Sequence, residues 1–294
     1  MRPLLLALFL ATPLSAQDPF DFYARGPYRQ AVPRPEAITG YAAGDQHTMY
    51  AVMQHYLDTL AATAGDRVRI ETWGRTTEYR PIRALIISDP ANIAKLDQIR
   101  AGLAELADPR KTSAARAAAI AQQQPAVAYF QYSVHGDEPA GFEAAMQVAY
   151  QLAASDEPQT LELLKSVVLV LNPSANPDGH ERFAAWYNSV AVGADHPWAF
   201  EQNLPWSITD RYSHYRFDMN RDLLAQSQPE VRAMMDGVMR WRPQVFVDHH
   251  STTPNFFFHA KPTCSGSASP AETHRRRRRE PFSGVQSGSF SMAA

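Results

Sequence analysis

The sequence predicts an α/β domain in which helices flank a mostly parallel or mixed central sheet. Three continuous apolar runs, at 127–134, 167–171 and 245–247, are typical of strands that are buried on both faces of a sheet. Segments at 139–154 and 229–240 lie between these runs and have the apolar spacing of amphipathic helices. Strands that alternate with helices along the chain indicate an α/β fold with largely parallel strands.

The chain before the first of these runs follows the same alternation. Apolar residues at helical spacing from Met49 to Leu60 predict a helix that ends before a Gly-Asp turn. Short strands are predicted at 67–72 and 82–88, separated by a turn-rich segment. Two further helices are predicted at 93–106 and 113–122, and the second of them is rich in alanine.

The composition of the chain divides it into four segments. Residues 1–16 combine the basic Arg2 with a short apolar stretch and a small residue suited to cleavage, which predicts a secretory signal peptide and export to the periplasm or the cell exterior. Residues 17–37 are rich in proline and aromatic residues and predict an extended lead-in that lies on the domain. Residues 38–262 hold the periodic pattern of the folded domain. Residues 263–294 lack hydrophobic periodicity and predict a disordered tail.

The overall composition argues against several classes of partner. The chain is 45% hydrophobic and carries a net charge of −2, so it can bury a large core and has no bulk charge that favours nucleic acid or an anionic membrane. A bare run of five arginines at 275–279 is typical of a solvated tail. No segment after residue 16 has the ~20 consecutive apolar residues of a membrane span. The single cysteine, Cys264, excludes an intrachain disulfide.

Polar side chains that can bind metal or substrate follow each of the three apolar runs. In open α/β sheets, ligands collect outside the carboxyl ends of the strands, so these side chains are expected at one edge. His135 and Glu138 follow the first run and are three residues apart, which lets both point to the same side of a turn. With a histidine from the His249–His250 pair, they form the ligand set that catalytic zinc uses. Magnesium and calcium prefer all-oxygen shells, which makes zinc the expected cofactor.

Four motifs occur in an informative order: HGDE (135–138), NPDGHERF (176–183), FDMNRD (217–222) and DHHS (248–251). In this order and spacing they resemble the zinc carboxypeptidase family, the group of carboxypeptidases A and B. The resemblance extends from about Ile38 to Lys261. It implies that His135, Glu138 and His250 bind one zinc ion, and that the protein removes residues from the C-termini of peptides. It makes His249 a structural or rim residue.

The resemblance also implies roles for further polar residues. Asn220 and Arg221 would bind the terminal carboxylate of a peptide, and the planar fork of arginine matches a carboxylate. Asp218 would accept a hydrogen bond from a zinc-binding histidine and fix its orientation. In the family an arginine polarises the scissile carbonyl while a zinc-bound water attacks it. The candidates for this arginine, which the sequence does not separate, are Arg182 in the second motif, Arg211 and Arg216.

The general base of the family is a glutamate on a late strand, beyond the second histidine ligand. This sequence leaves the family pattern soon after Lys261, and Glu272 and Glu280 lie in surroundings that do not resemble that strand. We therefore expect the late strands and the base to be missing and peptide hydrolysis to be impaired or lost. Two other functions stay open: a zinc amidohydrolase that deacylates N-acyl amino acids, and a non-catalytic module that binds zinc and peptide C-termini.

Overall fold

The computed structural model of the protein describes residues 21–190, 210–251 and 287–291. The strands within these residues are β1 (Val68–Arg75), β2 (Pro81–Ile87), β3 (Ala126–Tyr132), β4 (Val167–Asn172), β5 (Val245–His250) and β6 (Ser287–Ser291). They form one mixed sheet in the order β1-β2-β4-β3-β5-β6. The central β3 is parallel to both β4 and β5, whereas the other neighbouring pairs are antiparallel. The predicted α/β fold with a mixed central sheet is confirmed.

Helices connect and cover the strands. Those in the described residues are α1 (Glu36–Thr39), α2 (Tyr50–Thr63), α3 (Pro90–Ile93), α4 (Leu96–Leu106), α5 (Ala114–Gln123), α6 (Pro139–Ala154), α7 (Pro158–Ser166), α8 (Pro177–Val190) and α9 (Pro229–Trp241). Short 3-10 helices lie at Phe22–Arg25 and Met219–Arg221. None of the helices described is long and apolar enough to cross a membrane.

Two layers of helices bury the two faces of the sheet. Helices α2 and α6 pack on one face, and α4 and α9 pack on the other. The alternation is visible in β4, where Leu169 and Leu171 join the first cluster while Val168 and Val170 join the second. Because successive side chains of a strand point to opposite faces, a strand covered on both sides is apolar along most of its length. This explains why the central strands are the clearest signal in the sequence.

Several elements differ from the sequence prediction. The helix predicted at 93–106 begins three residues later, as α4, and the short helix α3 precedes it. Helices α7 and α8 were not predicted, because a proline opens each of them and α8 also contains Gly179 in its first turn, residues that usually indicate a turn. In the lead-in, a 3-10 helix replaces extended chain at Phe22–Arg25. The lead-in nevertheless lies on the domain, since Arg29 N donates to Ala154 O at 2.8 Å.

Strand β6 lies within the segment for which the sequence predicts a disordered tail without late strands. Its pairing with β5 extends from Phe246–Ser291 to His250–Ser287, so the prediction is wrong for these five residues. Serine and glycine have low strand propensity and give little sequence signal, whereas pairing at a sheet edge depends mainly on backbone groups. The predicted signal peptide at 1–16 and the rest of 263–294 lie outside the described residues.

Helix α6 contains a buried carboxylate, the side chain of Glu143. Thr48 N donates to Glu143 Oε1 at 2.7 Å, and Thr48 Oγ1 donates to Oε2 at 2.8 Å. Burial raises the pKa of Glu143 to about 7, and the two hydrogen bonds from Thr48 offset this effect only in part. The folded protein therefore binds the Glu143 proton more tightly than the unfolded chain, where the pKa is 4.5.

This difference predicts a pH dependence of stability. The contribution of Glu143 is fully present below pH 4.5 and is lost as the pH rises to about 7, with a total change of about 3 kcal/mol in the free energy of unfolding. Glu143→Gln keeps the shape without the titration, so its stability relative to the wild type should increase over this range in urea unfolding. Glu162→Gln, at an exposed position, serves as the control. Parallel curves for the wild type and Glu143→Gln would contradict the prediction.

Candidate metal centre

Three side chains meet at the carboxyl ends of β3 and β5. His135, Glu138 and His250 each offer one ligand atom, and these atoms all lie within 4.8 Å of one another. His135 Nδ1 is 2.8 Å from Glu138 Oε1, and His250 Nδ1 is 3.0 Å from Glu138 Oε2. The structure thus brings together the three residues that the sequence names as zinc ligands. Both imidazoles direct the same ring nitrogen, Nδ1, toward the glutamate.

The HGDE segment is fixed by two other parts of the chain. Gly136 lies where no Cβ fits, because a Cβ would overlap the backbone of Gly179 in α8 and of Asp210. Gly136 N also donates to Arg211 O at 3.3 Å. This close approach leaves Glu138 directly before α6, with its carboxylate between the two histidines. A glycine is therefore required at position 136 for the glutamate to reach the centre.

A carboxylate contacts the outer nitrogen of each imidazole. Asp218 Oδ1, for which the sequence predicts an orienting role, lies 3.1 Å from His135 Nε2. Asp248 Oδ2 lies 2.9 Å from His250 Nε2. The sequence analysis assigned no role to Asp248. A signal for it was present, because residues two apart on a strand share a face and Asp248 is two residues before His250.

The charges of these groups stabilise one another. Burial opposes ionisation of Glu138, but hydrogen bonds from His135 and His250 and their positive charge outweigh it and lower the pKa of Glu138 to about 2. Burial also disfavours a charged His250, but Asp248 and Glu138 raise its pKa to about 10. The centre therefore favours a cation between its carboxylates. A metal ion bound at Nδ1 would replace the proton there, because a histidine ligand must be neutral.

Asn220 and Arg221 lie in the 3-10 helix beside the centre. Asp218 accepts a hydrogen bond from Asn220 N at 3.0 Å, and Asn220 Nδ2 is 3.2 Å from His250 Nε2. Arg221 is exposed, and its guanidinium contacts only the Asn220 carbonyl, at 3.4 Å, within the part of the chain that the structure describes. Neither neighbouring carboxylate holds Arg221, because Asp218 faces His135 and Asp222 accepts from the loop that follows it. Its charge is available to an anionic ligand.

Comparison with known proteins identifies the family to which the chain belongs. The sequence profile of the family described as zinc carboxypeptidase (Peptidase_M14) matches residues 53–284. The chain belongs to the zinc carboxypeptidase family. The match starts after the predicted beginning of the resemblance at Ile38 and continues beyond its predicted end at Lys261.

Solved structures of carboxypeptidases are among those to which the chain is similar. Carboxypeptidase A from Helicoverpa armigera is 18% identical with a TM-score of 0.45, and the match covers 74% of this chain and 52% of that structure. A putative carboxypeptidase A from Shewanella denitrificans is 16% identical with a TM-score of 0.43, covering 68% of this chain and 40% of that structure. The chain thus spans about half the length of these structures or less. No curated protein sequence gives a significant match.

The sequence names Arg182 as a candidate for the arginine that polarises the scissile carbonyl. Within the described residues, Arg182 does not contact the metal centre of this zinc carboxypeptidase family member. Its guanidinium donates to Glu78 Oε1 at 2.9 Å and to Tyr212 O at 2.7 Å, which ties α8 to the β1–β2 turn. These contacts do not fit the polarising role. Arg211 instead faces the centre, with Nη1 3.7 Å from Glu138 Oε1 and Nη2 3.5 Å from Asp218 Oδ2. Sequence spacing could not separate these arginines, because the folding of the 210–217 segment decides their positions.

Two further histidines in the described residues, His249 and His180, have structural contacts. His249 stacks on Tyr132 with 4.0 Å between ring centroids, and its Nδ1 lies 3.0 Å from Gln131 O, so it faces away from Glu138 as the sequence predicts. His180 is fully buried against Phe142, and burial lowers its pKa to about 4. These rings support the walls of the centre without reaching its ligand atoms.

Proposed function

We propose that this zinc carboxypeptidase family member is a zinc-dependent hydrolase that removes C-terminal residues from peptides or proteins. The observation that carries the proposal is the convergence of His135 Nδ1, Glu138 and His250 Nδ1 within 4.8 Å, beside the exposed Arg221. Two imidazoles and one carboxylate are the donor set of catalytic zinc, with the fourth position left for water or substrate. One zinc ion per chain is the proposed cofactor.

The residues around the centre have complementary proposed roles. When bound, zinc supplies a nucleophilic water at neutral pH and polarises a carbonyl oxygen. Asp218 orients His135, as its contact with the outer ring nitrogen supports. Asn220 and Arg221 bind the terminal carboxylate of the substrate through the amide and the planar guanidinium fork. This pair would place the last peptide bond of the substrate over the metal.

Arg211 is the proposed donor to the scissile carbonyl oxygen. Its contacts with Glu138 and Asp218, at 3.7 and 3.5 Å, are longer than the ~2.7–2.9 Å of a strong charge-assisted hydrogen bond. A guanidinium held loosely in this way can turn to a substrate oxygen without the loss of a strong ion pair. Arg182 lacks this freedom, because Glu78 and backbone carbonyls bind it.

The general base is not assigned among the described residues. Besides Glu138, which is a proposed metal ligand, the described carboxylates that contact the two histidines are Asp218 and Asp248, and both touch the outer ring nitrogens. This observation favours a second candidate function, a non-catalytic module that binds zinc and peptide C-termini.

We also propose that the protein is exported to the periplasm or the cell exterior. The basic residue, short apolar stretch and small residues within 1–16 support this proposal. N-terminal sequencing of the protein from separated cell fractions tests it. A mature protein that starts near residue 17 is expected outside the cytoplasm, and an intact Met1 on protein confined to the cytoplasm would contradict export.

The enzymatic proposal is tested with zinc-loaded protein and three matched ligands: a blocked peptide with a free C-terminus, the same peptide with a C-terminal amide, and an N-acyl amino acid. Release of the last residue from the free acid alone is expected. Deacylation of the third ligand would identify an amidohydrolase instead. Selective binding of the free acid without turnover would identify the binding module, and the absence of both binding and turnover would refute all three functions.

A further inference from the structure

We propose that Asp248 is a positioning residue for His250, held in place by a polar row that crosses the buried part of the sheet. The proposal rests on the proposed function, since it concerns a ligand of the same metal. Asp248 and His250 lie two residues apart on β5 and therefore on one face of the strand. Asp248 is 9% exposed, and its Oδ2 lies 2.9 Å from His250 Nε2. A polar side chain this buried requires specific hydrogen-bond partners.

Those partners come from the neighbouring strands. The register pairs Asp248 of β5 with Gln131 of β3, and Gln131 with Asn172 of β4, so the three side chains form a row across the sheet. Gln131 Nε2 donates to Asp248 Oδ1 at 3.0 Å. Tyr129 OH donates to Gln131 Oε1 at 3.1 Å and accepts from Asn172 Nδ2 at 3.3 Å. Gln131, Asn172 and Tyr129 are fully buried.

The direction of each hydrogen bond in this row is determined. Gln131 can donate only through its nitrogen and accept only through its oxygen, so its contacts with Asp248 and Tyr129 fix the amide orientation. Asp248 Oδ1 is thereby held, and Oδ2 is left facing His250. The preceding row of the sheet, Phe130 paired with Val247, is apolar. Burial of the polar Asp248–Gln131–Asn172 row has a desolvation cost that an apolar row would avoid. A role in positioning a metal ligand would explain why polar residues are present there.

The contact with Asp248 selects the ring nitrogen of His250 that binds the metal. With the Nε2 proton donated to the carboxylate, the lone pair of Nδ1 points toward Glu138. Nε2 carries one proton and cannot also accept from an amide. The 3.2 Å approach of Asn220 Nδ2 to His250 Nε2 is therefore not a hydrogen bond, and the donor capacity of the Asn220 amide is left for a ligand.

The test compares the wild type with Asp248→Asn, which keeps the shape and removes the charge. Zinc affinity, measured by competition with a chelator, is expected to fall about 10- to 100-fold. The visible spectrum of the cobalt-substituted protein is expected to change, because His250 is no longer held. In proton NMR of the metal-free protein, the downfield Nε2–H signal of His250, assigned by its loss in His250→Gln, should move upfield. Asp218→Asn is the matched control, since it should affect the His135 signal instead.

Gln131→Met provides a second variant in case Asp248→Asn does not fold. It removes the hydrogen bond from Gln131 to Asp248 at nearly constant side-chain volume. The same changes in zinc affinity and in the His250 signal are therefore expected, but smaller than in Asp248→Asn. An unchanged zinc affinity and an unchanged His250 signal in a folded variant would overturn the proposal. If the wild type binds no zinc but the His250 signal still moves, the positioning role stands and the proposed function fails.

Discussion

Zinc binding is expected to be lost when either histidine of the centre is replaced, in His135→Ala or His250→Ala. Structural zinc sites in proteins contribute about 10–16 kcal/mol, so one of three ligands accounts for roughly 3–5 kcal/mol. This corresponds to a rise in the dissociation constant of about 10²- to 4 × 10³-fold. Removal of a histidine also leaves the buried Glu138 with one partner fewer, since each imidazole contacts one of its oxygens. Elemental analysis and chelator competition on purified protein measure this loss.

The neighbouring histidine provides a matched control. His249→Ala changes the same residue type one position away, but the His249 ring stacks on Tyr132 and faces away from Glu138. This variant is expected to keep one zinc per chain. Equal zinc loss in His249→Ala and His250→Ala would show that the ligand assignment is wrong, or that zinc loss merely reports damage to the end of β5.

Arg221→Ala is expected to weaken binding of peptides with a free C-terminal carboxylate by about 30- to 150-fold. A hydrogen bond between charged groups contributes roughly 2–3 kcal/mol, and each 1.4 kcal/mol is tenfold in affinity. Because no carboxylate within the described residues holds Arg221, its loss breaks no internal ion pair and should leave stability nearly unchanged. Binding is measured by fluorescence anisotropy with zinc-loaded protein, so the prediction does not depend on turnover.

Two comparisons separate carboxylate recognition from a general charge effect. The amidated peptide should bind Arg221→Ala and the wild type alike, since it lacks the group that Arg221 recognises. Arg221→Lys keeps the charge without the planar fork, so an intermediate affinity is expected. Arg240→Ala, an exposed arginine of α9, should have no effect. An equal loss of affinity for the acid and the amide in Arg221→Ala would contradict the assignment.

The residues of the candidate metal centre could be named from the sequence because their signal is local and repeated. A buried parallel strand has an apolar run that ends abruptly, and His135 and His250 both follow or close such runs. The parallel pairing of β3 with β5 then brings the carboxyl ends of these strands together. Arg221 and Asp218 were predicted for a different reason, since they lie within a motif that the family shares.

The features that the sequence did not predict depend on long-range geometry. Whether Arg182 or Arg211 faces the centre depends on how 210–217 folds against Gly136, which no local pattern records. Strand β6 depends on an available edge of β5, and α8 begins in a segment whose proline and glycine suggest a turn. Asp248 could have been found, because its spacing from His250 on a strand is a local signal.

The parallel pairing of β3 with β5 has a consequence for how the protein folds. Gln131 and Asp248 are 117 residues apart in the chain, yet they lie side by side in the sheet. Contacts at such separation form only after the intervening chain is organised, which slows folding relative to local pairing. We therefore expect His135 and His250 to become neighbours at a late stage of folding. A metal ion with a visible absorption spectrum, such as cobalt, would report the completion of folding when it binds at the centre. At that stage, α2 and the β1–β2 hairpin would already be protected from hydrogen exchange.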